Sequence, residues 1–479
     1  MRDGRHTRVP TDEGATGAGT LRDMTQHEHA ARAPAAGARG ILPADMISVE
    51  EARARILEHF HELEAVDTPL WDGTHGVTAL GQVLAEDVRA DFDIPPLANT
   101  AMDGYAVRAE DTRGATYERP LRLRVTGYLA AGSVYEGVIR AGEAVRIMTG
   151  APVPAGADAV VPFEETDEQE LGRWDARPRD SVRVDVEAKP GANVRAAGED
   201  VHRGEFVLAR GTVLQPAQVG VLASLGRASA RLVRRPVVAI LSTGDELLRP
   251  GEPLLPGKIY DSNAFSLAAQ VRSFGGIPRV LDVALDTVEA LTARIREGLD
   301  GADLLVTSAG VSRGDFDVVK TVLANEGEVG FWTVRMKPGK PLAFGVFRGP
   351  RNPVPHLGLP GNPVSAMMTF ELFGRPALFK MLGKPKAWPR PTVRAVAADR
   401  IQNTDGRRFF ARCTVEPQDG RWVARLTGPQ GSGVLTSMSL ANGYAVCPED
   451  VPAIEPGEEC EVILVDRDAP VPAARAARG

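Results

Sequence analysis

The stretch Val237-Val238-Ala239-Ile240-Leu241-Ser242-Thr243-Gly244-Asp245-Glu246 decides the fold class. An unbroken apolar run, rich in β-branched side chains, stops at a small, polar, glycine-containing turn. A strand without apolar/polar alternation is buried on both faces, which is the condition of a central strand in a sheet covered by helices. Outward from it, residues 263–274 read as a helix, 279–284 as a strand, 287–299 as a helix, 304–307 as a strand and 316–324 as a helix. Strands alternating with helices of this length describe βαβ units and a parallel sheet. Residues 235–384 are therefore expected to form an α/β domain. In such sheets ligands bind outside the carboxyl ends of the strands.

The flanks read differently. Residues 1–43 are rich in Ala, Gly, Arg and Thr, with their arginines balanced by acids, and are expected to be a disordered tail. Folded structure should begin near Ser48, an N-cap with Glu51 three residues on. The helix it starts carries Ala52, Ile56, Leu57 and Phe60 at helical spacing. From residue 79 to about 186, short β-like runs such as 121–125, 144–148 and 159–162 are broken by Gly and Pro. A helical stretch returns near 218–225, so residues 89–188 read as a β domain inserted between 44–88 and 189–234. Residues 388–466 are short strands and turns, a second small β domain, and 467–479 form a frayed tail. The expected class is α/β plus all-β, in several domains.

Composition narrows the function. Fifty glycines and 36 prolines in 479 residues exceed the average of roughly 12% and favour turns and short strands over a helical bundle. Lys+Arg 56 against Asp+Glu 63 gives a net charge of −7, which leaves no global cationic surface for nucleic acid but allows a local basic pocket. Cys413, Cys447 and Cys460 form no CxxC and read as buried apolar residues of a reducing compartment. His6, His27 and His29 lie in the tail and no HExxH occurs, so a zinc site is not expected. No apolar run approaches the ~20 residues of a membrane span, and residues 1–39 hold no signal-peptide core. A soluble, cytoplasmic protein without nucleic-acid or membrane partners is the expectation.

The loops at the expected strand ends carry the chemistry. Ser242-Thr243-Gly244-Asp245-Glu246 follows the first strand, and a Gly-rich segment from Ser308 through Gly310, Ser312, Asp315 and Asp317 follows the third. Pro360-Gly361-Asn362-Pro363-Val364-Ser365 opens a helix, and Lys337-Pro338-Gly339-Lys340-Pro341 lies between. Each alone could be a cap or a turn; Asn before Pro, for example, is a common helix start. Together they describe an anion site: glycines admit backbone amides, and lysines stiffened by Pro and Gly are fixed cations. Asp245, Glu246, Asp261, Asp315 and Asp317 beside them would repel an anion unless a divalent ion such as Mg2+ bridges the two. The segment from Gly251 to Gly257-Lys258 is one residue too long for a P-loop and has Ile259 where Ser or Thr is required.

Eight motifs in order (99–107, 146–154, Gly198-Glu199-Asp200, 242–247, Tyr260-Asp261-Ser262-Asn263, 310–317, 337–341 and 359–366) resemble the molybdopterin molybdenumtransferase family, which includes the E domain of gephyrin-type proteins. The resemblance spans about residues 47–465. It implies the last step of molybdenum cofactor assembly, in which adenylylated molybdopterin and molybdate are bound, Mg2+ assists, the metal enters the dithiolene and AMP is released. It also implies an elongated homodimer of four-domain subunits, with residues 44–88 and 189–234 as the dimerisation domain and a cleft completed by the partner. A molybdopterin adenylyltransferase and molybdoenzyme apoproteins are the further partners it implies. Lys337 and Lys340 match the family's oxyanion lysines, Ser365 and Ser432 resemble further molybdate ligands, and either Arg407 or Arg412 matches an arginine that joins them. Ser242, Thr243, Gly244, Gly310, Ser312, Pro360, Asn362 and Pro363 are the remaining substrate-binding candidates. Asp103, Thr149, Asp200, Glu246 and Asp317 match catalytic positions, with Asp261 and Asp317 as the Mg2+ ligands.

Three residues depart from the family pattern: Ala309 where a glycine is usual, Phe316 where tyrosine is common, and the added cation Arg313. Two other functions are weighed against this one. A molybdopterin adenylyltransferase would not need the motifs at 99–107 and 146–154 or two β domains. A gephyrin-like scaffold without catalysis would not need Lys337, Lys340, Asp261 and Asp317 intact.

Overall fold

The strand Val237–Ser242 lies inside a seven-stranded sheet, and both of its faces are covered. In this computed structural model, which describes residues 46–171, 179–285, 287–309, 322 and 327–465, Val238 and Ile240 join a core that includes the helices Val49–Leu57, Asn263–Ser273 and Pro363–Thr369. Ala239 and Leu241 face a second core with the helix Val288–Leu299. Burial on both faces is why the run shows no alternation.

The parallel part of the sheet runs Ile277–Val280, Val237–Ser242, Leu304–Ser308, Pro353–Leu359. It continues through Pro341–Arg348, antiparallel to its neighbour, and Gly327–Val334, antiparallel again, with Met46–Ile47 at the edge. Residues 349–352 are too short a link for a crossover, so these strands form a hairpin. The flanking helices begin with side-chain caps. Ser48 Oγ accepts from Glu51 N at 3.0 Å and Thr287 Oγ1 accepts from Ala290 N at 3.2 Å, each worth about 1 kcal/mol. The expected helix 316–324 lies outside the described residues apart from Val322.

Before the sheet, Ala65–Pro69 pairs with Ser229–Val233 and Val88–Arg89 with Phe206–Leu208, which zips together the two segments flanking a small β domain. That domain is a five-stranded sheet in the order Ala159–Pro162, Gly104–Val107, Glu143–Ile147, Leu121–Leu129, Ser181–Val184. Beneath it the Arg146 guanidinium bonds both oxygens of Glu168 at 2.9 and 3.0 Å, and the Tyr105 hydroxyl donates to the same carboxylate. Burial acts to raise the Glu168 pKa, but Arg146, Tyr105 and Arg179 outweigh it and hold the carboxyl below its ordinary value.

After the sheet, Arg408–Gln418, Arg421–Leu426, Thr392–Ala397, Glu459–Leu464 and Gly443–Cys447 pair in that order, and the last pairs back with the first. The result is a closed barrel, which leaves these strands no edge. Cys413, Cys447 and Cys460 are buried inside it, and burial pushes the Cys413 thiol up to about 12. One join positions the site. The short strand Met336–Lys337 adds to the barrel in parallel, with Met336 opposite Arg408 and Lys337 opposite Phe409. Among the described residues no helix is long and apolar enough to cross a membrane.

Candidate active site

Strand ends of the α/β domain and loops of the barrel enclose a cavity of about 790 Å³. Its floor comes from the parallel strands. Ser242 and Thr243 follow one, Ser308 and Ala309 the next, and Pro360, Asn362 and Pro363 a third, with Ser365 in the helix beyond. Asn263 ties this floor together, its side-chain amide donating to Ser308 Oγ at 2.7 Å and Gly361 O at 2.6 Å. Two buried polar atoms of cavity-lining residues, Ser242 Oγ and Asn263 Oδ1, have no hydrogen-bond partner among the described residues. An unpaired buried polar atom costs roughly 1–3 kcal/mol, so such atoms in a cavity wall mark places where a ligand bonds.

The carboxylates stand at one side. Asp261 is buried at 5% exposure, and its Oδ1 accepts from Ala264 N at 3.0 Å, capping the helix Asn263–Ser273. Its other oxygen takes no hydrogen bond from a described residue. Glu246 lines the cavity by folding over Gly244, whose φ is +140°. A Cβ at Gly244 would come within 2.5 Å of the Glu246 carboxylate, so Gly244 acts by making room and does not itself line the cavity. Asp261, with one oxygen left unbonded, suits Mg2+, which binds through one or two carboxylates and keeps several waters.

Cations line the same cavity. Lys337 lies 5.1 Å over the Phe409 ring and 3.7 Å from Asp405 Oδ2, and the Arg407 guanidinium pairs with the same Asp405 oxygen while donating to Met336 O at 3.3 Å. Burial acts to raise the Asp405 pKa, but the Arg407 hydrogen bond and the charges of Arg407 and Lys337 outweigh it and keep the carboxyl below its ordinary value. Lys340 is exposed to the cavity, and no described carboxylate pairs with its ammonium. Between the lysines Gly339 has φ +101°, and a Cβ there would meet Thr369 Oγ1 at 2.5 Å and Met336 Cε at 2.8 Å. Only glycine fits this turn.

Of the two candidate arginines, Arg407 lines the cavity and Arg412 does not. Arg412 is wholly buried, because its guanidinium is spent on the carbonyls of Pro429, Gln430 and Gly431 and on Ser437 Oγ. Ser432 does line the cavity, where its Oγ accepts from the Asn362 amide at 3.0 Å. Asp103, Thr149 and Asp200 are not among the lining residues. Thr149 N and Oγ1 donate to Asp103 Oδ1 at 2.7 and 2.8 Å at the edge of the inserted β domain, while Asp200 is exposed with its backbone bonded to Ile94 O. Gly310, Ser312 and Asp317 lie outside the described residues, as do Arg313 and Phe316.

Known proteins with this chain organisation decide the family. The sequence matches the MoeA N-terminal region (domain I and II) over residues 47–226, a probable molybdopterin binding domain over 239–380, and the MoeA C-terminal region (domain IV) over 394–465. It is 39% identical over 423 residues to molybdopterin molybdenumtransferase 2 of Mycobacterium tuberculosis, covering 87% of this chain and 99% of that one. The chain belongs to the molybdopterin molybdenumtransferase family. The Nostoc molybdopterin molybdenumtransferase is 35% identical, over 85% of this chain and 90% of its own. The crystal structure of a molybdopterin biosynthesis MoeA protein from Pyrococcus horikoshii superposes with a TM-score of 0.70 at 32% identity, covering 88% of this chain and 99% of that one.

Against that family background the departure at Ala309 has a local cost. Ala309 has φ +80°, the left-handed region that a glycine enters freely, and it abuts Gly361, where an added Cβ would lie 3.3 Å from Ala309 Cβ. Reading the sequence did not single out Asp405, which aligns Lys337 with Arg407. An Asp-Gly pair before an arginine looks like an ordinary turn.

Proposed function

We propose that this molybdopterin molybdenumtransferase homologue transfers molybdenum from molybdate into adenylylated molybdopterin with release of AMP. The observation that carries the reading is the convergence of Lys337, Lys340, Arg407, Ser365 and Ser432 on one cavity that Asp261 and Glu246 also line. Fixed cations and hydroxyls on one side hold an oxyanion, and charge-assisted hydrogen bonds of this kind are about twice as strong as neutral ones. Ser242, Thr243 and Asn362 on the floor hold the rest of the substrate, with the unpaired Ser242 Oγ bonding to it.

Mg2+ supplies charge neutralisation at the phosphoanhydride when bound, with Asp261 and, from the sequence, Asp317 as its ligands. Glu246 orients the attacking water. That water's oxygen bonds to the molybdopterin-side phosphorus, and the bond from this phosphorus to the bridging oxygen breaks. AMP departs with that oxygen and the electron pair while Glu246 takes the proton. At the dithiolene the two thiol sulfurs bond to molybdenum, and one molybdate oxygen leaves as water with the two thiol protons, without change of oxidation state. Holding molybdate beside the dithiolene converts an encounter of two anions into a reaction within one complex.

The pair Asp103–Thr149, away from this chain's own cavity, serves the site of a second copy, so the working unit is a homodimer in the cytoplasm. A molybdopterin adenylyltransferase hands over the substrate, and molybdoenzyme apoproteins receive the product. The test is AMP release from adenylylated molybdopterin in Mg2+, with and without molybdate. Release that depends on molybdate is expected; tight binding without release under any metal would make the protein a scaffold. Sedimentation of the full chain checks the dimer.

A further inference from the structure

Arg412 is a fully buried cation with no carboxylate partner among the described residues. Such a charge is costly unless its donors are satisfied, and here backbone satisfies them. Its NH1 donates to Gln430 O at 3.1 Å and its NH2 to Pro429 O at 3.2 Å and Gly431 O at 3.0 Å, with Nε on Ser437 Oγ at 2.9 Å. Three successive carbonyls are thus gathered on one guanidinium. Across a trans peptide the carbonyl of one residue and the N–H of the next point in opposite directions. The N–H groups of Gln430, Gly431 and Ser432 are therefore turned away from Arg412, and none of them donates to a described residue. These same three residues line the cavity. Successive unpaired backbone N–H groups in a concave loop are an anion-binding nest.

We infer that residues 430–432 form a backbone nest for the oxyanion, and that Arg412, without touching the ligand, is the positioning residue that builds it. Resting on the molybdate reading above, this adds donors that the lysines and hydroxyls do not supply. The nest is anchored from two more directions. The Gln430 side chain accepts from Arg412 N at 2.8 Å and donates to Arg412 O at 3.1 Å, and Ser432 O accepts from Val364 N at 3.1 Å. The last of these bonds fixes the loop to the first turn of the helix Pro363–Thr369.

The inference gives an order of effects opposite to proximity. Ser432→Ala removes a hydroxyl from the cavity wall but keeps the amide, so it raises the molybdate KM no more than about threefold. Arg412→Lys keeps the charge but cannot span three carbonyls, so it raises the molybdate KM at least tenfold while the KM for adenylylated molybdopterin stays within twofold. A gentler variant, Ser437→Ala, removes the Nε partner alone and raises the molybdate KM about threefold with the fold intact. All variants are made in the full chain, with thermal unfolding measured alongside and molybdate binding read directly by calorimetry.

An Arg412→Lys protein with wild-type molybdate affinity overturns the inference, as does an equal rise in both KM values. If Arg412→Lys does not fold, an unchanged molybdate KM in Ser437→Ala overturns it. Calorimetry separates this from the functional reading. Wild-type protein that binds molybdate but releases no AMP sinks the transferase reading and leaves the nest to be judged on affinity. Wild-type protein that binds no molybdate sinks both.

Discussion

The two sides of the cavity are built by opposite means. The α/β side is made of strand ends and presents hydroxyls, an amide and two carboxylates, with Ser242 Oγ and Asn263 Oδ1 left unpaired. The barrel side presents Lys337 and Arg407, already aligned by Asp405, and a loop folded around Arg412. One side is organised by main-chain register and waits for hydrogen bonds. The other is organised by charges, among them the buried Arg412, and waits for an anion. A molecule bound between them has a neutral, hydrogen-bonding part and an anionic part, which is the character of the substrates proposed above.

The division predicts that each side can be damaged separately. Lys340→Ala, on the cationic side, should raise the molybdate KM by about 30-fold, the loss expected for a charged hydrogen bond, and leave the KM for adenylylated molybdopterin within threefold. Steady-state kinetics with each substrate varied in turn checks this, and equal losses would erase the distinction.

Acid should strike the α/β side first. His356 is buried in the strand Pro353–Leu359, bonded through Nε2 to Thr307 Oγ1 at 2.9 Å, and burial pushes its pKa down to about 3. The unfolded chain takes up a proton near pH 6.5 that the folded chain refuses, so stability falls as pH drops from about 6.5 towards 3, by up to about 1.4 kcal/mol per unit. Asp405 acts in the same sense but in a lower pH window. Its carboxyl sits below the ordinary range, so the stability it contributes is full above about pH 4 and is lost only as pH falls further. Urea midpoints from pH 7 to pH 5 should decline in the wild type and flatten in His356→Gln, while Asp405→Asn should not change the slope.

A smaller effect belongs to Ser242→Ala, which should raise the KM for adenylylated molybdopterin about fivefold and leave that for molybdate alone. The smallest is Ala309→Gly. Relief of left-handed strain of roughly 1–2 kcal/mol, partly offset by the entropy glycine adds to the unfolded chain, should raise the thermal midpoint slightly.

The same division separates what the sequence made legible from what it hid. The unalternating run 237–241 announced a sheet covered on both faces, and the polar loops after each strand announced the floor of the cavity, because local pattern reports burial directly. Asp261 was legible as a cavity residue, but the bond from Ala264 N gives it a capping task that a metal-ligand reading does not include. The barrel side was harder. Arg407 and Arg412 stand five residues apart in one strand region with nothing local to distinguish them, and only the fold sends one to the cavity and buries the other. Asp405 was invisible for the same reason, since its partner Lys337 is brought to it by pairing between distant strands.

That pairing bears on modularity. Lys337 belongs by chain position to the α/β domain, yet it is held as a strand of the barrel, opposite Phe409. A fragment ending before the barrel would keep the strands of the sheet but lose Phe410, Met438 and Tyr444 from its core, together with the neighbour that sets the lysine's register. The proposed oxyanion site is therefore the property of neither domain and cannot be inherited, grafted or expressed by moving one without the other.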